Sequence, residues 1–278
     1  RRRSSGRINV ALARIVVSVM SALRPDLMWF TNQQALMIPT RYAIYFLPPP
    51  DAPWGRFATA WLGWDCVTGQ MVEPPETDLP ADTIQAVTHT PRRYGLHATL
   101  KPPFRLHPDH DSTSLHNACA ALAARIPPAR ADGLSLRRLG RFLALCPEGD
   151  TAGINGLVAA CVTDLDAFRA PLSAAEADRR RQKADLSPEQ DAMLARWGYP
   201  YVLDQFRFHI TLTSRMEKPT RTTVETALAA RLAPLLPRPF AISQIALVGE
   251  DGDGRFHLLQ SYALTGQGAP GCGPVRPG

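Results

Sequence analysis

Apolar and polar positions change places in short bursts along most of this chain, and proline and glycine separate the bursts. Arg41-Tyr-Ala-Ile-Tyr-Phe-Leu47 is rich in aromatic and β-branched residues and stops at Pro48-Pro49-Pro50, which predicts a strand. Trp54 to Leu62 predicts a short helix. Two longer stretches then repeat one order of landmarks. The first begins at His97-Ala-Thr-Leu100, crosses a polar loop to a helix over Ser114 to Ile126, reaches a strand at Leu134 to Leu139 and closes with Gly140-Arg-Phe-Leu-Ala-Leu145. The second begins at His209-Ile-Thr-Leu212, passes Lys218-Pro219 to a helix from about Thr222 to Leu236, reaches a strand at Phe240 to Val248 and closes with Gly254-Arg-Phe-His-Leu-Leu259. Nearly the same hexapeptide sits in both helices, at Ala121 to Ile126 and Ala227 to Leu232.

Matching landmarks in one order predict a strand–helix–strand–strand unit present twice. The fold class expected is therefore α+β, with two pseudo-symmetric lobes, each an antiparallel sheet flanked by helices, around a central cleft. Asp251-Gly-Asp-Gly254 between two apolar runs predicts a hairpin turn. Between the units, Gly156 to Leu165 predicts a strand and Asp166 to Lys183 a charged helix. Ser187-Pro-Glu-Gln190 supplies an N-cap, a proline at the first helical position and a capping-box Gln, for a helix ending near Trp197-Gly198.

Composition narrows the picture modestly. The formal charge of +6 over 278 residues comes mostly from arginine, and guanidinium forks suit phosphate oxygens. Five cysteines, an odd number without a C-x-x-C pair, read as reduced, mostly buried thiols and point to an intracellular, cytoplasmic protein rather than a zinc ribbon or disulfide scaffold. Arg1 to Arg7 is basic and Ile8 to Leu23 is apolar except where Arg14 and small polar residues interrupt it. That run is too short to span a bilayer, and it reads as a non-native or over-extended start rather than a working signal. Residues 1–36 are thus expected to be an extension, 37–265 the functional domain and 266–278 a disordered tail, with no membrane contact.

The chemistry concentrates at the two His-x-Thr motifs. On an extended strand, residues two apart point the same way, so His97 with Thr99 and His209 with Thr211 each face one ligand while Ala98, Leu100, Ile210 and Leu212 face the core. The same alternation adds Lys101 to the first motif and Thr213 and Arg215 to the second, with Arg207 preceding it, and Tyr94 flanks the first. Two such strands about a pseudo-two-fold set two imidazoles across one cleft. One can take a proton from an attacking oxygen while the other protonates a leaving oxygen, and the Thr hydroxyls can donate to non-bridging phosphate oxygens.

These paired motifs resemble the two-histidine (2H) phosphoesterase superfamily, over roughly Arg41 to Leu264. Tyr94-Gly-Leu-His-Ala-Thr-Leu-Lys-Pro-Pro-Phe104 is similar, more narrowly, to a branch encoded beside bacterial phosphonate-degradation genes. The resemblance implies catalysis by His97, Thr99, His209 and Thr211 without metal or cofactor, and opening of a cyclic phosphodiester on a small phosphorylated substrate. RNA ends or 2′–5′ linkages are the alternative substrate, with a basic groove involving Arg179 to Lys183. A non-catalytic nucleotide or RNA binder is the alternative class. Other features read as ordinary structure: His107 to Asp111, with His116 nearby, as a polar loop rather than a metal site, Arg179 to Lys183 as a solvated helix face, and His89 as part of a turn.

Overall fold

In the computed structural model, which describes residues 37–183 and 185–267, the first strand is β1 (Arg41–Phe46). All its residues but the first are buried, which a strand achieves only with neighbours on both edges and cover on both faces. The chain continues through α1 (Pro53–Leu62), a small hairpin of β2 (Trp64–Asp65) and β3 (Gln70–Met71), α2 (Ala81–Arg92) and β4 (Ala98–Phe104). Then come α3 (Ser112–Arg125), β5 (Ala129–Ala131), β6 (Gly133–Leu139), β7 (Phe142–Glu148) and α4 (Ala152–Asp164). The rest comprises α5 (Ala174–Lys183), α6 (Pro188–Trp197), β8 (Ile210–Thr211), α7 (Lys218–Leu232), β9 (Phe240–Ile242), β10 (Gln244–Glu250) and β11 (Phe256–Ala263). The expected extension and most of the expected tail, with Cys272, lie outside the described residues.

The architecture is α+β, as the pattern predicts. Its two half-sheets meet at the centre in one seven-stranded antiparallel sheet, ordered β11-β10-β1-β4-β8-β7-β6. That order shows how the repeat is used. The first unit's motif strand, β4, lies with the second unit's hairpin, β10–β11, through β1. The second unit's motif strand, β8, pairs with the first unit's hairpin at β7. The helices follow their motif strands, for α3 packs on β10 and β11 and α7 packs on β7. Each half-sheet therefore combines parts of both units, and the short ladder β5–β9 ties the crossing chains together.

Helices cover one face of the sheet. Ile44 and Phe46 of β1, Ala98 and Leu100 of β4, and Ile210 of β8 enter a single large core with Trp61, Leu115, Leu157 and Val224 from the helices. Trp61, fully buried, also donates its indole N–H to the carbonyl of Leu212, 2.8 Å away, and so pins the chain just after β8. The opposite face carries a smaller cluster of Ala43, Tyr45, Leu47, Trp64, Cys66, Ala246, Val248 and Phe256.

Several expectations are met closely. Ser187 and Gln190 close the predicted capping box of α6, and the Asp251 to Gly254 turn joins β10 to β11. Others need correction. Gly156 to Leu165 belongs to α4, in which Ile154, Leu157, Val158, Cys161 and Val162 recur at helical spacing and are buried. The helix expected from Asp166 begins only at Ala174. Pro171 lies between the two positions, and Ser173 and Glu176 bond each other across the first turn. His89, expected in a turn, sits in the last turns of α2 with Pro91 still inside the helix. Cys66, Cys119 and Cys161 are buried free thiols and Cys146 is half-buried.

Candidate active site

The single paired residue couple between β4 and β8 is Ala98 opposite Ile210. In an antiparallel ladder this register sets His97 across from Thr211 and Thr99 across from His209, so the four polar side chains form a diagonal square on the face that Ala98 and Ile210 avoid. β4 and β8 join the two half-sheets, so the square sits on the midline of the sheet.

Both imidazoles are held in one way. The Nδ1 of His97 bonds the carbonyl of Gly95 at 3.0 Å, and the Nδ1 of His209 bonds the carbonyl of Arg207 at 2.8 Å. A carbonyl only accepts, so each Nδ1 carries the proton and each Nε2 is left to exchange one. Gly95 is required there. Its φ is +69°, and a Cβ would come within 3.2 Å of the Cys66 Cβ and 3.3 Å of the Trp64 carbonyl. His97 also stacks on the buried Tyr45, with ring centroids 3.9 Å apart, and leans on Tyr94. Desolvation inside that aromatic wall, opposed by the hydrogen bond to Gly95 and helped a little by repulsion from His209, pushes its pKa down to about 4. His97 is therefore neutral at physiological pH. His209 packs less tightly, its ring 5.9 Å from that of Phe142.

The square opens into a cleft of two adjoining compartments. One, of about 690 Å³, is lined by His97, Thr99 and Thr211, and the other, of about 670 Å³, by His209. Thr99, Pro102, Phe142, Tyr199 and Arg215 line both and so mark the middle.

The remaining sequence-derived candidates divide. Tyr94 and Thr213 line the His97 compartment and Arg215 lines both. The Thr213 hydroxyl is buried and accepts the amide N–H of Leu143 at 2.9 Å, so it also fixes the backbone of β7. Arg207 is exposed at the rim of the His209 compartment. Lys101 does not reach the cleft. The pairing of β1 with β4 slips around Ile44, where Lys101 stands opposite, and this bulge turns Lys101 to the helix-covered face. There the ammonium is 2% exposed and donates to the carbonyl of Val162 at 2.9 Å, with Asp166 at 3.4 Å. Burial, against the pull of Asp166, pushes its pKa down to about 8.

Among the lining residues that sequence reasoning missed, Arg41, Tyr45, Arg180 and Tyr199 carry aromatic or charged chemistry. Arg41 opens β1 and its guanidinium is clamped by Glu250, which also accepts from Thr40. Arg180 belongs to the run read as a solvated face, and that reading holds only for its neighbours. Arg179 is exposed and Arg181 bonds Asp191 and Asp178, whereas Arg180 turns inward and lies over the Tyr199 ring, 5.6 Å from its centroid. Among the described residues no group of three or more His, Cys, Asp or Glu is placed to hold a metal ion, and no helix is long and apolar enough to cross a membrane.

The chain is thus an α+β protein with a His-x-Thr pair at the start of each of two central strands. The chain belongs to the family described as "Protein of unknown function (DUF1045)", which matches residues 99–257. It is 36% identical over 238 residues to a Janthinobacterium sp. (strain Marseille) protein named "Ribose 1,5-bisphosphate phosphokinase PhnN", covering 82% of this chain and 52% of that one. A Laribacter hongkongensis (strain HLHK9) protein of the same name is 33% identical over 180 residues, covering 64% of this chain and 41% of that one. The chain thus spans about half the length of the curated relatives it matches. Among solved structures, E. coli LigT complexed with NADP+ aligns at 16% identity with a TM-score of 0.37, covering 82% of this chain and 98% of that one. TT0787 of Thermus thermophilus aligns at 16% identity with a TM-score of 0.36, covering 82% of this chain and 100% of that one.

Proposed function

We propose that this chain is a metal-independent phosphodiesterase that opens a cyclic phosphodiester on a small sugar phosphate by two-histidine acid–base catalysis. The observation that carries the proposal is the Ala98–Ile210 register, which faces two identically tethered imidazoles and two threonines into one cleft. His97, neutral well below pH 7, takes the proton of a water attacking phosphorus. His209, as imidazolium, gives a proton to the ester oxygen as its bond to phosphorus breaks. One P–O bond forms, one breaks, and a monoester and a free hydroxyl result. Thr99 and Thr211 are positioned to donate to the non-bridging oxygens, and Arg215, in the middle of the cleft, complements their charge.

One further observation supports a sugar phosphate as substrate. The matched relatives are named for a kinase acting on a ribose bearing two phosphates. This chain holds no G-x-x-x-x-G-K-S/T loop, so the kinase name is not carried over to it, while the shared substrate class is. A place in phosphonate breakdown is what the sequence resemblance implies.

The testing experiment is turnover in EDTA on nucleoside 2′,3′-cyclic phosphates and on ribose 1,2-cyclic phosphate 5-phosphate. Metal-independent opening, faster on the ribose compound, is expected. Turnover of neither by folded protein would leave a binding protein of this fold. The pH dependence is a second expectation. The reactive form needs His97 unprotonated, and its pKa is lowered, so kcat/KM should hold through the mildly acidic range and fall tenfold per pH unit only below about 4. An acid limb centred near that of free imidazole would mean that His97 is not the base.

A further inference from the structure

One arginine of the cleft differs from many others of this chain. Arg105, Arg125, Arg137, Arg138, Arg141 and Arg238 are each neutralised by a carboxylate. Arg180 is not, although it is half-buried and lines the His97 compartment. Glu176, one helical turn earlier, is taken by Arg105 and Ser173, and the adjoining Arg181 draws on Asp178 and Asp191. Among the described residues the Arg180 guanidinium makes no hydrogen bond or ion pair with a carboxylate; it lies on the face of Tyr199 and feels Glu176 only through space. A desolvated, unneutralised guanidinium is costly unless an anion completes it.

Its position separates it from the scissile group. A phosphate between the two histidines lies at the middle of the cleft, bounded by the residues that line both compartments, Thr99, Pro102, Phe142, Tyr199 and Arg215. Arg180 lines only the His97 end, beside Arg41 and Tyr94. Arg41 is already clamped by Glu250, so it shapes this end without offering a free charge. Each compartment is large enough for a phosphorylated pentose, and the phenol rings of Tyr94 and Tyr199 flank the space that such a group would fill.

We propose that Arg180, with Tyr199 beneath it, forms a second anion site that binds a phosphate on the substrate remote from the scissile diester. The substrate class is then a cyclic phosphodiester that also carries a phosphomonoester. The inference rests on the phosphodiesterase reading for its substrate, but the anion site itself can be tested without turnover.

The kinetic arm compares a nucleoside 2′,3′-cyclic phosphate with its 5′-phosphorylated counterpart, so that the pair differs only in the remote group. Wild type should favour the phosphorylated member. Arg180→Met should lower kcat/KM for that member by roughly ten- to a hundredfold, mainly through KM, and bring the ratio between the two close to one. Arg180→Lys should restore part of the preference, which a merely structural role would not produce. The binding arm titrates ribose 5-phosphate calorimetrically into wild type and Arg180→Met, with melting curves to confirm folding. Binding that weakens in the variant while no diester is turned over would uphold the anion site and sink the phosphodiesterase reading. Diester turnover with a substrate ratio that Arg180→Met does not change would do the reverse.

Discussion

Replacing either His97 or His209 by alanine is expected to lower kcat/KM for a cyclic phosphodiester by about a thousandfold or more, the range of general acid–base catalysis. The double variant is expected to fall little further than the worse single one. Proton removal and proton delivery belong to one step, so losing either partner already forfeits most of what the pair supplies. The two single variants should differ in their pH profiles. Without His97 the acid limb set by its depressed pKa disappears, whereas the His209 variant should keep it. Neither ring is a core residue, since both line the cleft, so melting temperatures should stay near wild type. Activity within tenfold of wild type in either well-folded variant would remove the two-imidazole mechanism, whatever else the cleft binds.

A comparably large effect on stability is expected at Trp61. Its side chain is fully buried in the main core, and its indole N–H satisfies the Leu212 carbonyl at 2.8 Å. Trp61→Ala should cost about 3–5 kcal/mol from lost packing and the cavity left behind. The stranded carbonyl adds about 1–3 kcal/mol. The melting temperature should drop by roughly 10 °C or more. Trp61→Phe keeps most of the volume and drops only the hydrogen bond, so it should lie between the two. Because Leu212 follows Thr211 directly, the Phe variant should also lose some activity at temperatures where it remains folded. A Trp61→Ala protein melting within a few degrees of wild type would show that α1 does not hold the β8 segment in place.

How much of this could be read from the sequence depends on the range of the interaction involved. The motif strands were legible because alternation is local: Ala98 and Ile210 go to the core, and His and Thr on either side go to the cleft. The capping box at Ser187 was legible for the same reason. Lys101 was misplaced because a bulge depends on the partner strand, here on how β1 slips past β4 at Ile44, and nothing in residues 97–104 encodes it. The strand predicted at Gly156 to Leu165 shows the opposite error. Gly156 to Leu165 was read as a strand, while the buried set at 154, 157, 158, 161 and 162 carried a helical period in plain view. Arg180 could not be separated from Arg179 and Arg181 by composition. Only the docking of α5 beside Tyr199 turns that one guanidinium inward.

The exchange of strands between the two repeats also constrains the protein as it is being made. As the chain leaves the ribosome, β1 can pair with β4 soon after His97 emerges, but its other edge faces solvent until β10, residues 244–250, has been synthesised. Likewise the first hairpin, β6–β7, waits for β8 before it acquires a neighbour beyond itself. Neither half of the nascent chain can close a lobe alone, so folding is deferred until nearly all of the sheet is present, with an apolar strand edge exposed meanwhile. Such a chain leans on chaperones during translation more than one whose repeats fold in turn.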